Sequence, residues 1–148
     1  MQVKDAIRKS PVTIDAADTV ARAAKQMDEA AVGALVVVDD DRPVGIVTDR
    51  DLVVRAIARG YSLDSRIDSV MSMGVVAIDA DADIRHAIEL FSQHAIRRLP
   101  VVDGGRMCGM ITLDDLVVDL TQDLERATKP LAAQVLFGHP EAKSPVRA

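Results

Sequence analysis

Two copies of a Thr-x-x-Asp motif bring a hydroxyl and a carboxylate together where a strand pattern becomes a helical pattern. Thr48 and Asp51 form the first copy, and Thr112 and Asp115 form the second, 64 residues later. A short apolar run that contains glycine precedes each motif, and apolar residues at helical spacing follow it. Such a pair can bind a polar ligand, or it can cap the helix through reciprocal side-chain to backbone hydrogen bonds. The doubled motif therefore marks the candidate functional positions.

Both motifs belong to an internal repeat. At an offset of 64 residues, positions 12–54 align with positions 76–118 without a gap. Two copies of this length predict two similar units that pack against each other and not a solenoid. Pairs that are identical at this offset include Val12 and Val76, Ile14 and Ile78, Leu35 and Leu99, Val37 and Val101, and Gly45 and Gly109.

Hydrophobic periodicity predicts the order β-α-β-β-α in each copy. In the first copy, residues 11–15 predict a strand, Asp18 or Thr19 can cap the next helix, and residues 34–47 predict a hairpin. In the second copy, Ala82 or Asp83 begins the equivalent helix. Pro100 predicts a strand start or an edge position, because proline donates no ladder hydrogen bond. The predicted fold class is α+β, with two pseudo-symmetric β-α-β-β-α units packed as a pair.

The predicted domain organisation follows from these elements. We expect residues 1–60 to form the first unit, residues 61–124 the second, and residues 125–148 a C-terminal extension. The helical pattern decays beyond residue 124, where Pro130 should break any long helix. The extension is expected to be partly disordered, from residue 141 onward.

The composition argues against several classes of function. The chain has 148 residues, of which 49% are hydrophobic and 28% are charged, which suits a compact globular protein. Only 2% of the residues are aromatic and the net charge is −5, which argues against a nucleic-acid partner. A single cysteine, Cys108, predicts a buried structural thiol without an internal disulfide, and no apolar run is long enough to span a membrane. We therefore predict a cytoplasmic protein.

Metal and catalytic sites are not expected. His86, His94 and His139 lack zinc-site spacing relative to Cys108, and the acidic residues 39–41 predict a solvated hairpin turn. No phosphate-loop motif or nucleophile elbow is present in the sequence. A binding protein is the favoured interpretation, and an enzyme that acts on a nucleotide is a weaker alternative.

The tandem of units, each with Gly-h-h-Thr-x-x-Asp in which h is apolar, resembles a pair of cystathionine-β-synthase-type (CBS) domains. The resemblance covers roughly residues 1–124, and residues 45–51 and 97–103 are closest to the family pattern. In that family, two units form a pseudo-symmetric pair with two clefts that often bind AMP, ADP, ATP or S-adenosylmethionine. The resemblance implies a regulatory module that requires no cofactor, binds an adenosyl ligand, forms a homodimer and signals to an effector protein.

The resemblance also implies which residues contact the ribose, the phosphate and the adenine of the ligand. They are Asp51 and Asp115 at the ribose, Thr48 and Thr112 near the ribose or phosphate, Arg98 and, as a second candidate, Arg97 at the phosphate, and Val12, Thr13 and Ile14, or Val76, Ala77 and Ile78, beside the adenine. A carboxylate can accept both ribose hydroxyl protons, and an arginine presents a bidentate fork to phosphate. Because Gly33 and Ala34 occupy the positions of Arg97 and Arg98 in the first copy, the two clefts cannot be equivalent.

Alternatives remain open for each assignment. Thr-x-x-Asp can be a capping box that needs no ligand, and Arg97 and Arg98 can pair with surface carboxylates such as Asp103. A purely structural interaction module, with empty clefts and exposed helices that drive dimerisation, is the alternative function.

Overall fold

The computed structural model describes residues 1–137. The chain divides into two compact units, Met1–Leu113 and Asp114–Ala148. The first unit contains both sheets, and the described part of the second is a single helix. This confirms the predicted α+β class and the order β-α-β-β-α in both repeats. The predicted boundaries at residues 60 and 124 stay a prediction.

The first repeat follows the predicted pattern closely. Thr19 caps its first helix, because its hydroxyl accepts a hydrogen bond from the backbone N–H of Arg22 at 3.1 Å. That helix buries Val20, Ala23 and Met27 at helical spacing. The elements are a 3₁₀-helix (Val3–Ala6), β1 (Thr13–Asp15), α1 (Val20–Ala30), β2 (Ala34–Asp39), β3 (Arg42–Thr48) and α2 (Asp49–Asp51), which continues as a π-helix (Leu52–Ile57).

The second repeat has the same order and one additional strand, β4, that was not predicted. Asp83 caps its first helix by accepting a hydrogen bond from the backbone N–H of Arg85 at 2.9 Å. The elements are a 3₁₀-helix (Ile67–Ser69), β4 (Ser72–Met73), β5 (Ile78–Asp79), α3 (Ile84–His94), β6 (Arg98–Asp103), β7 (Arg106–Thr112) and α4 (Leu113–Phe137).

The strands form two sheets with the orders β1-β2-β3-β4 and β5-β6-β7. In each sheet the first two strands are parallel and the next pair is an antiparallel hairpin. The first hairpin turns at Asp40 and Asp41, with φ of 50° and 59°, and the second turns at Gly104 and Gly105. Positive φ at both central residues gives the turn the twist that a two-residue hairpin needs, and aspartate tolerates it better than most residues. The acidic run is thus a hairpin turn, as predicted.

Two sequence expectations about the second hairpin need refinement. Pro100 lies in the middle strand of its sheet, but β5 pairs with β6 only at Val101 and Val102. Pro100 therefore faces no β5 neighbour, which makes its position locally an edge.

Cys108 is exposed and not buried as predicted. The ladder shifts register between Val101 and Val102, so Cys108 is left as an extra residue in β7. Desolvation, with a smaller contribution from Asp103, raises the pKa of the Cys108 thiol.

The segment before each repeat bonds to the other repeat. Backbone N–H groups of Val3 and Lys4 donate to the carbonyls of Ala82 and Ala80, each at 2.9 Å. At an offset of 64 residues, the N–H groups of Ile67 and Asp68 donate to the carbonyls of Asp18 and Ala16, at 2.8 and 3.2 Å. Val3 and Ile67 are both fully buried. The two repeats are therefore joined by reciprocal exchange of their leading segments, which follows a pseudo-twofold relationship.

Helix α4 extends beyond the predicted limit. It runs to Phe137 and contains Pro130, which was expected to break it. Proline removes one intrahelical donor, but the surrounding residues are exposed, so water can satisfy the carbonyl that loses its partner. Leu131 and Val135 are exposed on this helix. The predicted disorder from residue 141 onward lies outside the described residues.

Candidate functional site

Strand alternation gives each hairpin two different faces. Leu35, Val37 and Val47 point into the core of the first repeat and are at most 1% exposed. The alternate positions Ala34 and Ile46 therefore point to the opposite face. The second hairpin alternates in the same way. Two cavities lie along these opposite faces, and residues of both repeats contribute to them.

The first cleft has a volume of about 150 Å³. Its walls come from the segment before β1, from the first hairpin and from the second hairpin. The first repeat contributes Lys9, Ser10, Pro11, Val12, Val32, Ala34, Leu35, Val36 and Ile46, and the second contributes Arg98, Pro100, Met110 and Thr112. A mainly apolar lining with a few polar groups is the usual composition of a small-molecule site.

The second cleft has a volume of about 130 Å³ and is the pseudo-symmetric counterpart of the first. Met73, Gly74, Val75 and Val76 occupy the positions of Lys9, Ser10, Pro11 and Val12, and Ile96 and Arg98 occupy those of Val32 and Ala34. The remaining lining residues are Ile46, which corresponds to Met110, and Ser72. The sequence repeat has thus produced a pair of clefts, as the resemblance implied.

The charges of the two clefts differ. Lys9 and Arg98 line the first cleft, whereas Arg98 is the only cationic lining residue of the second. Lys9 is held in place because its backbone pairs with Met110 of β7. Neither set of lining residues contains a carboxylate. The first cleft therefore has the stronger positive potential and suits an anionic group.

The first Thr-x-x-Asp motif forms a complete capping box. Asp51 Oδ2 accepts a hydrogen bond from the backbone N–H of Thr48 at 2.9 Å, and Thr48 Oγ1 accepts one from the N–H of Asp51 at 3.1 Å. Asp51 Oδ1 lies 3.7 Å from Nε of Arg55. The alternative interpretation of this motif is thus realised in the structure. It does not exhaust the carboxylate, which has about four acceptor positions.

The second Thr-x-x-Asp motif spans the end of β7 and the start of α4. Thr112 ends β7 and lines the first cleft, and Asp115 lies in the first turn of α4. Arg98 lines both clefts. Arg97 lines neither, and its backbone carbonyl accepts a hydrogen bond from the N–H of Leu113 at 2.9 Å. Arg97 precedes β6, which begins at Arg98, so it is not part of the strand that contributes to the cleft walls.

Of the residues predicted beside adenine, Val12 lines the first cleft and Val76 lines the second, but the other four line neither cleft. Ile14 and Ile78 are core residues with 2% and 3% exposure. Thr13 and Ala77 are half-buried, and the Thr13 carbonyl accepts a hydrogen bond from Nε2 of Gln26 at 3.3 Å.

Ten of the thirteen lining residues of the first cleft were missed by the sequence reasoning. They are Lys9, Ser10, Pro11, Val32, Ala34, Leu35, Val36, Ile46, Pro100 and Met110. A usable signal was present, because Lys9 is a basic residue three positions before Val12, which was assigned to the adenine.

Comparison with family models finds the CBS domain twice, at residues 3–57 and 67–121. The uncharacterised protein YlbB of Bacillus subtilis is 40% identical over 117 residues, which cover 78% of each chain. The uncharacterised protein MK0525 of Methanopyrus kandleri is 32% identical over 120 residues, and the aligned part spans 61% of its length. Inosine-5′-monophosphate dehydrogenase of Methanocaldococcus jannaschii is 34% identical over 132 residues, but these span only 24% of that enzyme.

Solved structures show the same architecture. The CBS domain protein PAE2072 of Pyrobaculum aerophilum, complexed with AMP, matches with a TM-score of 0.68 and 25% identity, over 86% of this chain and 99% of that one. The CBS domain pair of protein MJ0100, in complex with 5-methylthioadenosine and S-adenosyl-L-methionine, matches with a TM-score of 0.67 and 27% identity, over 83% of this chain and 98% of that one.

A third structure gives a chemical contrast. Hypoxic Response Protein I, with two coordinated zinc ions, matches with a TM-score of 0.69 and 28% identity, over 79% of this chain and 97% of that one. Within residues 1–137 of the present chain, no group of three His, Cys, Asp or Glu side chains is placed to hold a metal ion. Over the same residues, no helix is both long and apolar enough to cross a membrane.

Proposed function

Because this chain belongs to the CBS-domain family, we propose that it is a regulatory module that binds an adenosyl ligand between its two repeats. The ligand class is AMP, ADP, ATP or S-adenosylmethionine, and the output is a changed affinity for an effector protein. The single observation that carries this proposal is the pair of pseudo-symmetric clefts between the repeats. The solved relatives that hold AMP or S-adenosyl-L-methionine support the ligand class.

The first cleft offers a surface for each part of an adenine nucleotide. Val12, Val36 and Ile46 supply apolar surface for the adenine ring. Lys9 and Arg98 supply positive charge for the phosphate, and Arg98 can make two parallel N–H···O bonds to it. Acceptance of ribose hydroxyls by Asp51 and Asp115 remains part of the proposal.

We propose a binding role without catalysis. The matched dehydrogenase contains a region like this chain that accounts for about a quarter of its length, so the likeness does not extend to a whole enzyme. No cofactor is required for the proposed role. A cytoplasmic location stays a prediction from the sequence.

A homodimer is the second part of the proposal, and it is also the form that a ligand-free interaction module would take. Val53 and Val54 are exposed on the π-helical continuation of α2. The equivalent residues Val117 and Val118 are exposed on α4. Both repeats thus leave the same two valines in solvent, and exposed apolar residues that recur at equivalent positions favour an isologous contact between two copies.

The experiment that tests ligand binding is thermal unfolding of the whole chain with AMP, ATP, adenosine and S-adenosylmethionine, followed by titration calorimetry. A ligand at 100 times its dissociation constant stabilises the folded state by about 2.7 kcal/mol. We expect AMP or ATP to raise the melting temperature by several degrees. Guanosine monophosphate is the matched control, since it keeps the ribose and phosphate and changes the base. No heat and no shift with any adenosyl compound at millimolar concentration would leave the interaction module as the function.

A further inference from the structure

One charged side chain is common to the walls of both clefts. Ile46 and Arg98 line the first cleft and the second, and Arg98 is the only one of the two that carries a charge. No salt bridge within residues 1–137 uses the guanidinium of Arg98. This group is therefore available to either cleft.

The repeat explains why a single arginine is in this position. Arg98 begins β6, opposite Thr112 of β7, and it points away from the core because the next residue, Leu99, is fully buried. The equivalent residue of the first repeat is Ala34, whose methyl group carries no charge. A perfectly symmetric chain would have two guanidinium groups between its clefts, and this chain has one.

A second difference between the repeats makes the sharing unequal. Lys9 lines the first cleft, and Met73 occupies the equivalent position in the second. A phosphate in the first cleft can thus use both Lys9 and Arg98. A phosphate in the second cleft has Arg98 alone among the lining residues.

We propose that Arg98 couples the two clefts, so that two phosphate-bearing ligands bind with negative cooperativity while ligands without phosphate do not compete. The inference rests on the proposed function. A guanidinium that makes two parallel bonds to one phosphate is oriented toward that phosphate, and its single positive charge is already compensated, so it attracts a second phosphate more weakly. The second ligand therefore binds without this charge-assisted contact, which corresponds to a loss of about tenfold to a hundredfold in affinity. Through Arg98, occupancy of the first cleft by a nucleotide regulates the second.

Titration calorimetry with AMP and adenosine tests the coupling. The measured quantity is the ratio of the two dissociation constants for each ligand. We expect this ratio to be about tenfold or more larger for AMP than for adenosine. Lys9→Ala removes the charge difference between the clefts, but Arg98 is still shared by both clefts. The larger ratio for AMP should therefore persist in this variant.

The double variant Lys9→Ala/Arg98→Ala should abolish the difference, so that AMP shows the same ratio as adenosine. Arg85→Ala is the matched control, because Arg85 is an exposed arginine of the same repeat that lines neither cleft. Two AMP molecules that bind Lys9→Ala with the adenosine ratio would overturn the coupling and leave the proposed function intact. Absence of heat from both ligands in the wild type would overturn the proposed function itself.

Discussion

The reciprocal hydrogen bonds between Thr48 and Asp51 can be changed one at a time. Thr48→Ala removes the acceptor for the N–H of Asp51, which lies 3.1 Å from Oγ1 in the wild type. Asp51→Asn keeps an oxygen that can accept from the N–H of Thr48 and removes only the negative charge. The two variants therefore separate the capping role of the motif from its proposed role at a ribose.

The magnitudes follow from this geometry. Loss of an N-cap hydroxyl costs about 0.5 to 2 kcal/mol, so Thr48→Ala should lower the melting temperature by several degrees without any ligand. Asp51→Asn should cost less than about 1 kcal/mol. It weakens the 3.7 Å charge contact with Arg55, whose side chain is 41% exposed, and such pairs contribute about 0 to 1 kcal/mol.

The assay is urea unfolding in the absence of ligand combined with AMP calorimetry. If Asp51 accepts ribose hydroxyls, Asp51→Asn should remove one of the two AMP sites and leave the unliganded protein almost unchanged. Asp49→Asn is the matched control at the same helix start, since the Asp49 carboxylate accepts the local N–H of Arg50, at 2.8 Å, and does not bond to Thr48. The reasoning fails if Asp51→Asn costs more than about 2 kcal/mol while AMP binding is unaffected, because Asp51 would then be a capping residue alone.

Two further predictions concern assembly and pH. In light scattering at micromolar concentration, we expect the wild type to have the mass of a dimer. Val53→Asp and Val117→Asp should each halve that mass, because each change puts a charge into an apolar contact. A monomeric wild type would contradict the dimer. The backbone N–H of Arg85 lowers the pKa of the Asp83 carboxyl, so the cap stabilises the fold above the unfolded pKa of about 3.9 and loses this contribution as pH falls through the folded pKa. The urea midpoint of the wild type should fall as the pH is lowered from about 4 to 2, and Asp83→Asn should make this fall smaller. If the midpoint of the variant depends on pH as steeply as that of the wild type, Asp83 does not contribute.

Local patterns were sufficient to predict most of the scaffold. The helix that Thr19 caps and the hairpin that turns at Asp40 depend on residues close together in sequence, and periodicity and capping chemistry detect both. The exchange of leading segments could not be predicted in this way. Val3 bonds to Ala82, almost 80 residues away, and no local propensity specifies that pairing. The short strand β4 was missed for the same reason, since only its contact with β3 makes it a strand.

The site was predicted in part. Arg98 and Thr112 were assigned to the clefts and line them, because both follow from the repeat and the strand pattern. Arg97 was assigned with Arg98, but it lies before β6, which begins at Arg98, and it lines neither cleft. Lys9 was missed because it precedes the first strand, and its place in the cleft depends on a long-range pairing with Met110.

The distribution of differences between the repeats explains how one scaffold can carry two unlike clefts. Core positions such as Leu35 and Leu99 are identical at the offset of 64 residues, and both are at most 1% exposed. A buried position in a close-packed core tolerates little change in volume, so identity there preserves the fold of each repeat. A cleft wall is constrained by the ligand and not by packing. The change from Ala34 to Arg98 therefore alters charge without altering the strand, and binding specificity can diverge between the clefts while the pseudo-symmetric frame is retained.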